Sequence, residues 1–286
     1  MLTLETMTGF PRSIRRVSVL ALTALVGLLG TGLVEANPTG GTVSQGSAAI
    51  STAGSQLTVN QTSANAYINW ASFNIGAGET TTFNQPTATS VAWNQINDAN
   101  PSQILGNLNA NGYVILQNQN GFSIGGAAVL NAHGLVMTTS PTPAPSLSSG
   151  GAWTFNAPPP SAKIINYGTI NIAGGGSVFL IANTIENDGT ISAPGGNVGL
   201  YAGEKVVVST SPDGRGLSTS VALPQGLVDS QGHLVPNAGS IVANALINQN
   251  GLIQANSALN DNGTIELVAG DSINLGANSQ INAYFF

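Results

Sequence analysis

Asn166-Tyr167-Gly168-Thr169-Ile170 and Asn187-Asp188-Gly189-Thr190-Ile191 share one pattern, Asn-x-Gly-Thr-Ile, 21 positions apart. Between them the same kind of recurrence appears at a neighbouring phase. Gly175-Gly176-Ser177-Val178 returns as Gly195-Gly196-Asn197-Val198 after 20 positions. The pattern comes back further on as Asn250-Gly251-Leu252-Ile253 and Asn262-Gly263-Thr264-Ile265, and Leu200-Tyr201-Ala202-Gly203-Glu204 is echoed by Leu267-Val268-Ala269-Gly270-Asp271. Each unit is a short apolar run bounded by Gly and Asn, the signature of a strand between tight turns. A fixed period near 20 built from such units marks a solenoid. One unit cannot bury its apolar side alone, but stacking each turn on the next buries a continuous core and pairs every strand above and below.

Working outward, the same punctuation holds for Tyr113–Leu116, Ile170–Ile172, Val178–Ala182, Val198–Ala202, Lys205–Val208, Ile265–Ala269 and Ile273–Leu275. Beyond residue 36 there is no sustained i, i+3, i+4, i+7 apolar stripe, so helices are not expected. The fold class is all-β, a parallel β-helix. An antiparallel sandwich also uses many short strands, and the recurrence favours winding over it. About 250 residues at ~20 per turn and ~4.8 Å between turns set an upper limit of ~12 turns and a rod of roughly 55 Å. The Asn and Gly of each corner both tolerate left-handed backbone angles, and stacked Asn side chains can hydrogen-bond from turn to turn.

Composition agrees with an ordered but weakly charged surface. Charged residues are 6% of the 286, hydrophobic residues 42%, and there are 36 glycines. Disorder pairs low hydrophobicity with high net charge, and neither holds at a net charge of −6. Beyond residue 36 the basic residues are Lys163, Lys205 and Arg215. That is too few for phosphate neutralisation, so nucleic acid is excluded as a partner. The chain has no cysteine, which removes disulfides, thiolate metal sites and cysteine nucleophiles.

The N-terminus reads as a secretory signal peptide over residues 1–36. Arg12, Arg15 and Arg16 precede an apolar run from Val17 to Val34, and Val34-Glu35-Ala36 supplies small residues for cleavage. The run approaches the length of a membrane anchor, but Gly27, Gly30, Thr31 and Gly32 weaken it as a permanent span. Export through the Sec machinery follows, with the mature chain starting near Asn37.

Two stretches break the repeat. Residues 140–160 carry Pro141, Pro143, Pro145, Pro158, Pro159 and Pro160. Proline cannot donate to a ladder, so a loop or extended excursion is expected there. Residues 209–237, with Pro212, Gly214, Pro224 and Pro236, read as an insertion holding a hairpin. Residues 37–61 are expected to cap the N-terminal end, whose strand edges would otherwise invite aggregation.

Within residues 67–139, six elements occur in order. They are Ile68-Asn69-Trp70-Ala71-Ser72-Phe73-Asn74-Ile75-Gly76, Thr82-Phe83-Asn84-Gln85-Pro86, Asn94-Gln95-Ile96, Pro101-Ser102-Gln103-Ile104-Leu105-Gly106, Asn111–Leu116 running into Asn118-Gln119-Asn120-Gly121-Phe122, and Val129–Val136. Together they resemble the N-terminal secretion domain of filamentous haemagglutinin and related two-partner adhesins, haemolysins and contact-dependent toxins. Gln119 stands where that family has proline, and Gln95 where it has a basic residue.

The resemblance implies a right-handed parallel β-helix with an N-terminal cap and extra-helical hairpins or loops. It divides the chain into a capped secretion-domain core at 37–139, the Pro-rich excursion at 140–160, and continuing repeats at 161–286 with the insertion near 209–237. It also implies an outer-membrane two-partner secretion transporter whose periplasmic docking (POTRA) modules recognise the extended chain, and a secreted or surface location on a Gram-negative-type bacterium. The expected role is that of a non-enzymatic, adhesin-like passenger with a host or cell-surface target. Family exoproteins run far longer than to Phe286, so a short or truncated member is expected.

Under this resemblance, Asn118, Gln119, Asn120, Gly121 and Asn94 are the candidate recognition residues. Trp70, Phe73, Ile75 and Gly106 are structural. Asn118–Gly121 also reads simply as a β-turn. His133 and His233 are isolated, and neither has metal-site spacing; no metal or cofactor is expected. Parallel β-helices also host polysaccharide lyases and hydrolases, so a carbohydrate-active enzyme is one alternative. Glu186/Asp188 and Glu266/Asp271 could be read as carboxylate pairs for such chemistry. A structural surface protein exported by another route is the other alternative.

Overall fold

The computed structural model describes residues 37–141, 153–156, 159, 161–202, 205–210, 217–222, 226–228, 234–236, 246–249, 252–254, 264–269 and 272–283. The signal-peptide reading of residues 1–36 lies outside these, as does His233.

The repeat is a three-strand coil. Its first complete copy is β6 (Val91–Ile96), β7 (Ser102–Ile104) and β8 (Asn107–Ala110). The next is β9 (Tyr113–Asn118), β10 (Phe122–Ile124) and β11 (Val129–Ala132). Next in the stack come β12 (Gly134–Thr138), β14 (Lys163–Asn166) and β15 (Thr169–Ile172), then β16 (Ser177–Ile181), β17 (Thr184–Asn187) and β18 (Thr190–Ser192). The last two coils are β19 (Asn197–Ala202), β24 (Leu246–Gln249) and β25 (Leu252–Gln254), and β26 (Thr264–Ala269), β27 (Ser272–Leu275) and β28 (Gln280–Asn282). Equivalent strands pair in parallel from coil to coil, making three long faces. Before them, β4 (Asn65–Trp70) and β5 (Thr80–Asn84) form an incomplete coil, in which Ile75 alone bridges to Ile104 on the second face.

The described residues form six complete coils, fewer than the limit of ~12 set by length, because residues are spent on the cap and on excursions. The cap comprises β1 (Thr42–Gln45), which pairs antiparallel with β4, and β2 (Ala48–Ala53), antiparallel to β3 (Gln56–Gln61). Strand β3 then stacks in parallel on β5. The antiparallel strands close the ladder edge on the first and third faces.

Two excursions leave the coil between the first and second faces. Trp153–Asn156, inside the Pro-rich stretch, forms β13, which pairs antiparallel with β20 (Lys205–Thr210), and β20 pairs with β21 (Leu217–Ala222). A separate hairpin joins β22 (Gly226–Val228) to β23 (Leu234–Pro236). Lys205–Val208 therefore belongs outside the coil. Its apolar alternation resembles a coil strand because Val206 and Val208 are also buried, but against the outside of the first face.

The described residues thus form two apolar clusters. The first fills the coil from Leu57 to Ala269. The second lies on the outer side of the first face, where Trp93, Ile115, Val136 and Phe179 meet Phe155, Val206 and Val208. Trp93 stacks on Phe155 at 5.6 Å and meets Trp153 edge-on at 6.2 Å. First-face strands are thus buried on both sides and read as continuous apolar runs, as in covered parallel sheets. Third-face strands such as Thr169-Ile170-Asn171-Ile172 alternate, polar outward and apolar inward.

The corner glycines differ from the expectation. Gly168 and Gly189 do not take positive φ; Gly175 (φ 79°) and Gly195 (φ 64°) do. Gly189 is required by close stacking, since a Cβ there would sit 2.2 Å from the Gly168 carbonyl oxygen. The paired Asn does act as a strut. Asn166 Nδ2 donates to Asn187 Oδ1 at 2.7 Å, and Asn187 Nδ2 donates to Gln249 Oε1 at 2.8 Å, both buried.

Candidate functional site

The site grows from the corner between the first and second faces. After Leu116 the first face ends at Asn118, and the chain must reverse into Phe122 of the second face. It does so by a β-turn: the Gly121 N–H donates to the Asn118 carbonyl at 3.0 Å, and Gly121 holds φ 103°. The Asn120 N–H donates to Asn118 Oδ1 at 2.9 Å, an Asx turn nested inside the β-turn. A side chain at Gly121 would place Cβ 2.4 Å from the Lys163 carbonyl oxygen of the coil above. Glycine serves here for both conformation and clearance.

The same turn grips the coil below. Asn118 Nδ2 donates to the Asn100 carbonyl at 3.1 Å and to Ser102 Oγ at 3.0 Å. Asn120 Nδ2 donates to the Asp98 carbonyl at 2.6 Å. The Ser102 N–H donates to the Gly121 carbonyl at 3.0 Å. Asn118 is fully buried, whereas Gln119 and Asn120 are exposed.

Asn94 lies elsewhere, inside the coil. Pleating places Ala92, Asn94 and Ile96 inward and Trp93 outward. Asn94 is 0% exposed, accepts from the Trp70 indole N–H at 2.9 Å, and donates to the carbonyls of Ala92 at 3.1 Å and Ile115 at 3.3 Å. Four of the five candidate recognition residues thus share one corner, and Asn94 is separated from them by burial. Gln95, on the outer side, accepts the Tyr67 hydroxyl proton, and burial of that phenol raises its pKa.

The structural positions have their own geometry. Trp70, Phe73 and Ile75 are all buried, with Trp70 edge-on to Phe73 at 5.5 Å. The slip in apolar spacing between Trp70 and Phe73 is the first corner, where β4 ends. A Cβ on Gly106 would meet the Gly76 carbonyl at 2.3 Å.

Two amide clasps were not singled out from sequence. Gln85 Nε2 donates to the Ser90 and Tyr113 carbonyls, both at 3.0 Å, while its Oε1 accepts the Gly112 N–H at 3.0 Å. Its backbone N–H and carbonyl are each bound by the Asn111 amide, at 2.6 and 2.7 Å. Gln117 Oε1 accepts the Trp93 indole N–H at 2.9 Å, and Gln117 Nε2 donates to the Ser140 carbonyl at 2.8 Å. For Gln117 the available signal was a Gln near the end of an otherwise apolar strand, a place where a polar group must be satisfied. Apart from the Gln85–Ser90 bond, these clasps join residues 23 to 28 positions apart, so they exist only once successive coils have stacked.

The ionisable side chains are dispersed. Lys163 Nζ lies 3.2 Å from Glu186 Oε1 of the next coil. The Tyr201 hydroxyl donates to Glu266 Oε2 at 2.6 Å. Among the described residues no three His, Cys, Asp or Glu side chains gather as metal ligands.

Comparison with known proteins gives this geometry a family. The TPS secretion domain profile matches residues 34–283. A heme/hemopexin-binding protein of Haemophilus influenzae is 33% identical over 240 residues, covering 80% of this chain and 26% of its own length. A second protein of that name from the same species is 43% identical over 88 residues, 31% of this chain and 10% of its own. This chain therefore spans about a quarter or less of the curated relatives it matches. Among solved structures, the HMW1 secretion domain of Haemophilus influenzae superimposes with a TM-score of 0.63 at 26% identity, covering 87% of this chain and 67% of that one. From the match over residues 34–283 and the shared β-helical coil, the chain belongs to the TPS secretion domain family.

Proposed function

We propose that this chain is the secretion signal domain of a two-partner exoprotein, read by its transporter before it folds. Residues 1–36 direct Sec export. POTRA modules of an outer-membrane transporter then recognise the extended chain through Asn118-Gln119-Asn120-Gly121 and Asn94, within residues 37–139. Residues 161–286 continue the coil, with 140–160 and the segment near 209–237 as excursions. The folded product is a secreted or surface-held, non-enzymatic, adhesin-like passenger with a host or cell-surface target.

One observation carries the order of events. Asn94 and Asn118 are both 0% exposed and hydrogen-bonded between coils, so their amides are accessible to a partner only in the unwound chain. The non-enzymatic reading is supported by membership of a family of secretion domains.

The test compares export with refolding for Asn118→Ala, Asn120→Ala and Asn94→Ala in cells with and without the transporter. Export should fall for each variant by more than its loss of stability accounts for, with exposed Asn120→Ala refolding at a near-normal rate, and deleting the transporter should abolish export. Export loss that tracks refolding loss in every variant would make the residues purely structural. Export that survives transporter deletion would favour another route.

A further inference from the structure

The chain contains four Asn-Gly pairs, Asn111-Gly112, Asn120-Gly121, Asn250-Gly251 and Asn262-Gly263. Such a pair carries its own reaction. The backbone nitrogen that follows the asparagine can attack the side-chain Cγ, and glycine, having no Cβ, leaves that approach unhindered. A C–N bond forms, the Cγ–Nδ2 bond breaks and ammonia leaves, giving a cyclic succinimide. Water then opens the ring at either carbonyl, leaving aspartate or isoaspartate. No oxidant or reductant takes part. The last two pairs lie outside the described residues; the first two lie within them.

Asn111 and Asn120 are both exposed, so water reaches them in the wound chain and burial does not protect them. Hydrogen bonds fix the reacting atoms instead. At Asn120 the leaving amide Nδ2 donates to the Asp98 carbonyl at 2.6 Å, and the attacking Gly121 nitrogen donates its proton to the Asn118 carbonyl at 3.0 Å. At Asn111 the Nδ2 donates to the Gln85 carbonyl at 2.7 Å, and Oδ1 accepts the Gln85 N–H at 2.6 Å. The Gly112 N–H donates to Gln85 Oε1 at 3.0 Å. Asp98 and Gln85 stand 22 and 26 positions before the asparagines they hold. Both side-chain clamps therefore come from the preceding coil and vanish when the chain unwinds.

We propose that Asn111 and Asn120 are self-modification sites, at which the unwound chain cyclises and deamidates and the wound chain does not. Winding is the switch, because it supplies the bonds that pin both amides. The reaction also acts back on winding. An aspartate at either position replaces the Nδ2 donor with a carboxylate oxygen facing a backbone carbonyl, so an attraction becomes a repulsion between two acceptors. An isoaspartate adds a methylene to the main chain inside the corner and displaces the residues that must stack next. The chain thus has a limited time in which to wind correctly. The chemistry needs only an unwound chain, so the proposal stands independently of transporter recognition.

The test ages the purified chain, wound in buffer and unwound in guanidinium chloride at the same pH, and follows each asparagine by peptide mass mapping with separation of isoaspartate. In the unwound chain Asn111 and Asn120 should both convert to acid, faster as pH rises because the attacking nitrogen must lose its proton. In the wound chain both should convert at least roughly ten-fold more slowly, equivalent to about 1.4 kcal/mol of opening. Gln85→Ala, in a chain shown by circular dichroism to be wound, should speed conversion at Asn111 and leave Asn120 slow. Aged unwound chain should refold in lower yield than fresh chain. Asn111→Gln combined with Asn120→Gln, whose longer side chains cyclise poorly, should lose less of its own fresh yield. Equal conversion rates in the wound and unwound chain would overturn the proposal. So would an equal loss of refolding in the double variant, or a wound Gln85→Ala chain with no change at Asn111. Should Gln85→Ala fail to wind, the comparison of wound and unwound natural chain decides alone.

Discussion

The indole N–H of Trp70 donates to Asn94 Oδ1 at 2.9 Å inside the coil stack, joining two successive coils through an otherwise apolar core. A buried donor deprived of its acceptor costs about 1–3 kcal/mol. Asn94→Ala should therefore lower unfolding free energy by about that amount, plus a cavity contribution. In a double-mutant cycle with Trp70→Phe, part of the loss should be recovered, since the orphaned N–H is then gone. Urea denaturation measures both; strictly additive losses would mean the two side chains are not coupled.

Gln119 occupies the second position of the turn whose closing bond is Gly121 N–H to the Asn118 carbonyl. Proline pre-sets the backbone angle favoured at this position. Gln119→Pro should stabilise the folded chain by about 0.4–1 kcal/mol by restricting the unfolded one. The readout is the thermal midpoint, and a drop would show that the turn does not accept a proline.

Close stacking of corners gives a third expectation. Gly189→Ala directs a methyl at the Gly168 carbonyl, 2.2 Å away, with backbone on both sides of the contact. Overpacking of this kind costs about 1–3 kcal/mol. Gly78 has open space around its Cβ position but φ 82°, so Gly78→Asn, which tolerates that angle, should cost far less. Comparable midpoints in denaturant for the two variants would remove the stacking argument.

The pH dependence follows from His133. Burial lowers its pKa in the folded chain, while the unfolded chain binds its proton near pH ~6.5. As pH falls through that value the unfolded state takes up more protons, so this contribution is present above pH ~6.5 and is lost toward the lower folded value. Between about pH 7.5 and 5.5 the melting temperature should fall more in the natural chain than in His133→Gln. Parallel slopes would show that His133 titrates alike in both states.

How much of this was legible beforehand depends on the range of the interaction. Asn166 and Asn187 announced their strut because identical corners recur at the coil period, and the alternation of Thr169 to Ile172 announced which side faces the core. Gln85 was read only as part of the Thr82–Pro86 element and Gln117 not at all, because the role of a glutamine amide is hidden until its acceptors in the next coil are known. Asn94 was read as a recognition residue of the extended chain, and its place among apolar side chains in the folded coil could not be read from it. Lys205–Val208 looked like one more coil strand, because covering the outer face of the coil demands the same apolar spacing as lining its interior.

The sequence by itself determined the winding. Strand-length apolar runs, Gly and Asn at the corners, and a period near 20 are local properties, and a strand unit with one apolar side can bury it only by stacking on its neighbours. Only the tertiary structure decided how many coils complete, which corners need glycine for clearance and which for positive φ, and where Trp153–Asn156 docks. These depend on contacts such as Trp153 with Val208, between residues far apart in the chain and brought together by the finished coil. The Asn-x-Gly corner belongs to both accounts: its recurrence revealed the coil, and its glycine is explained only by the carbonyl oxygen stacked 2.2 Å from where a Cβ would stand.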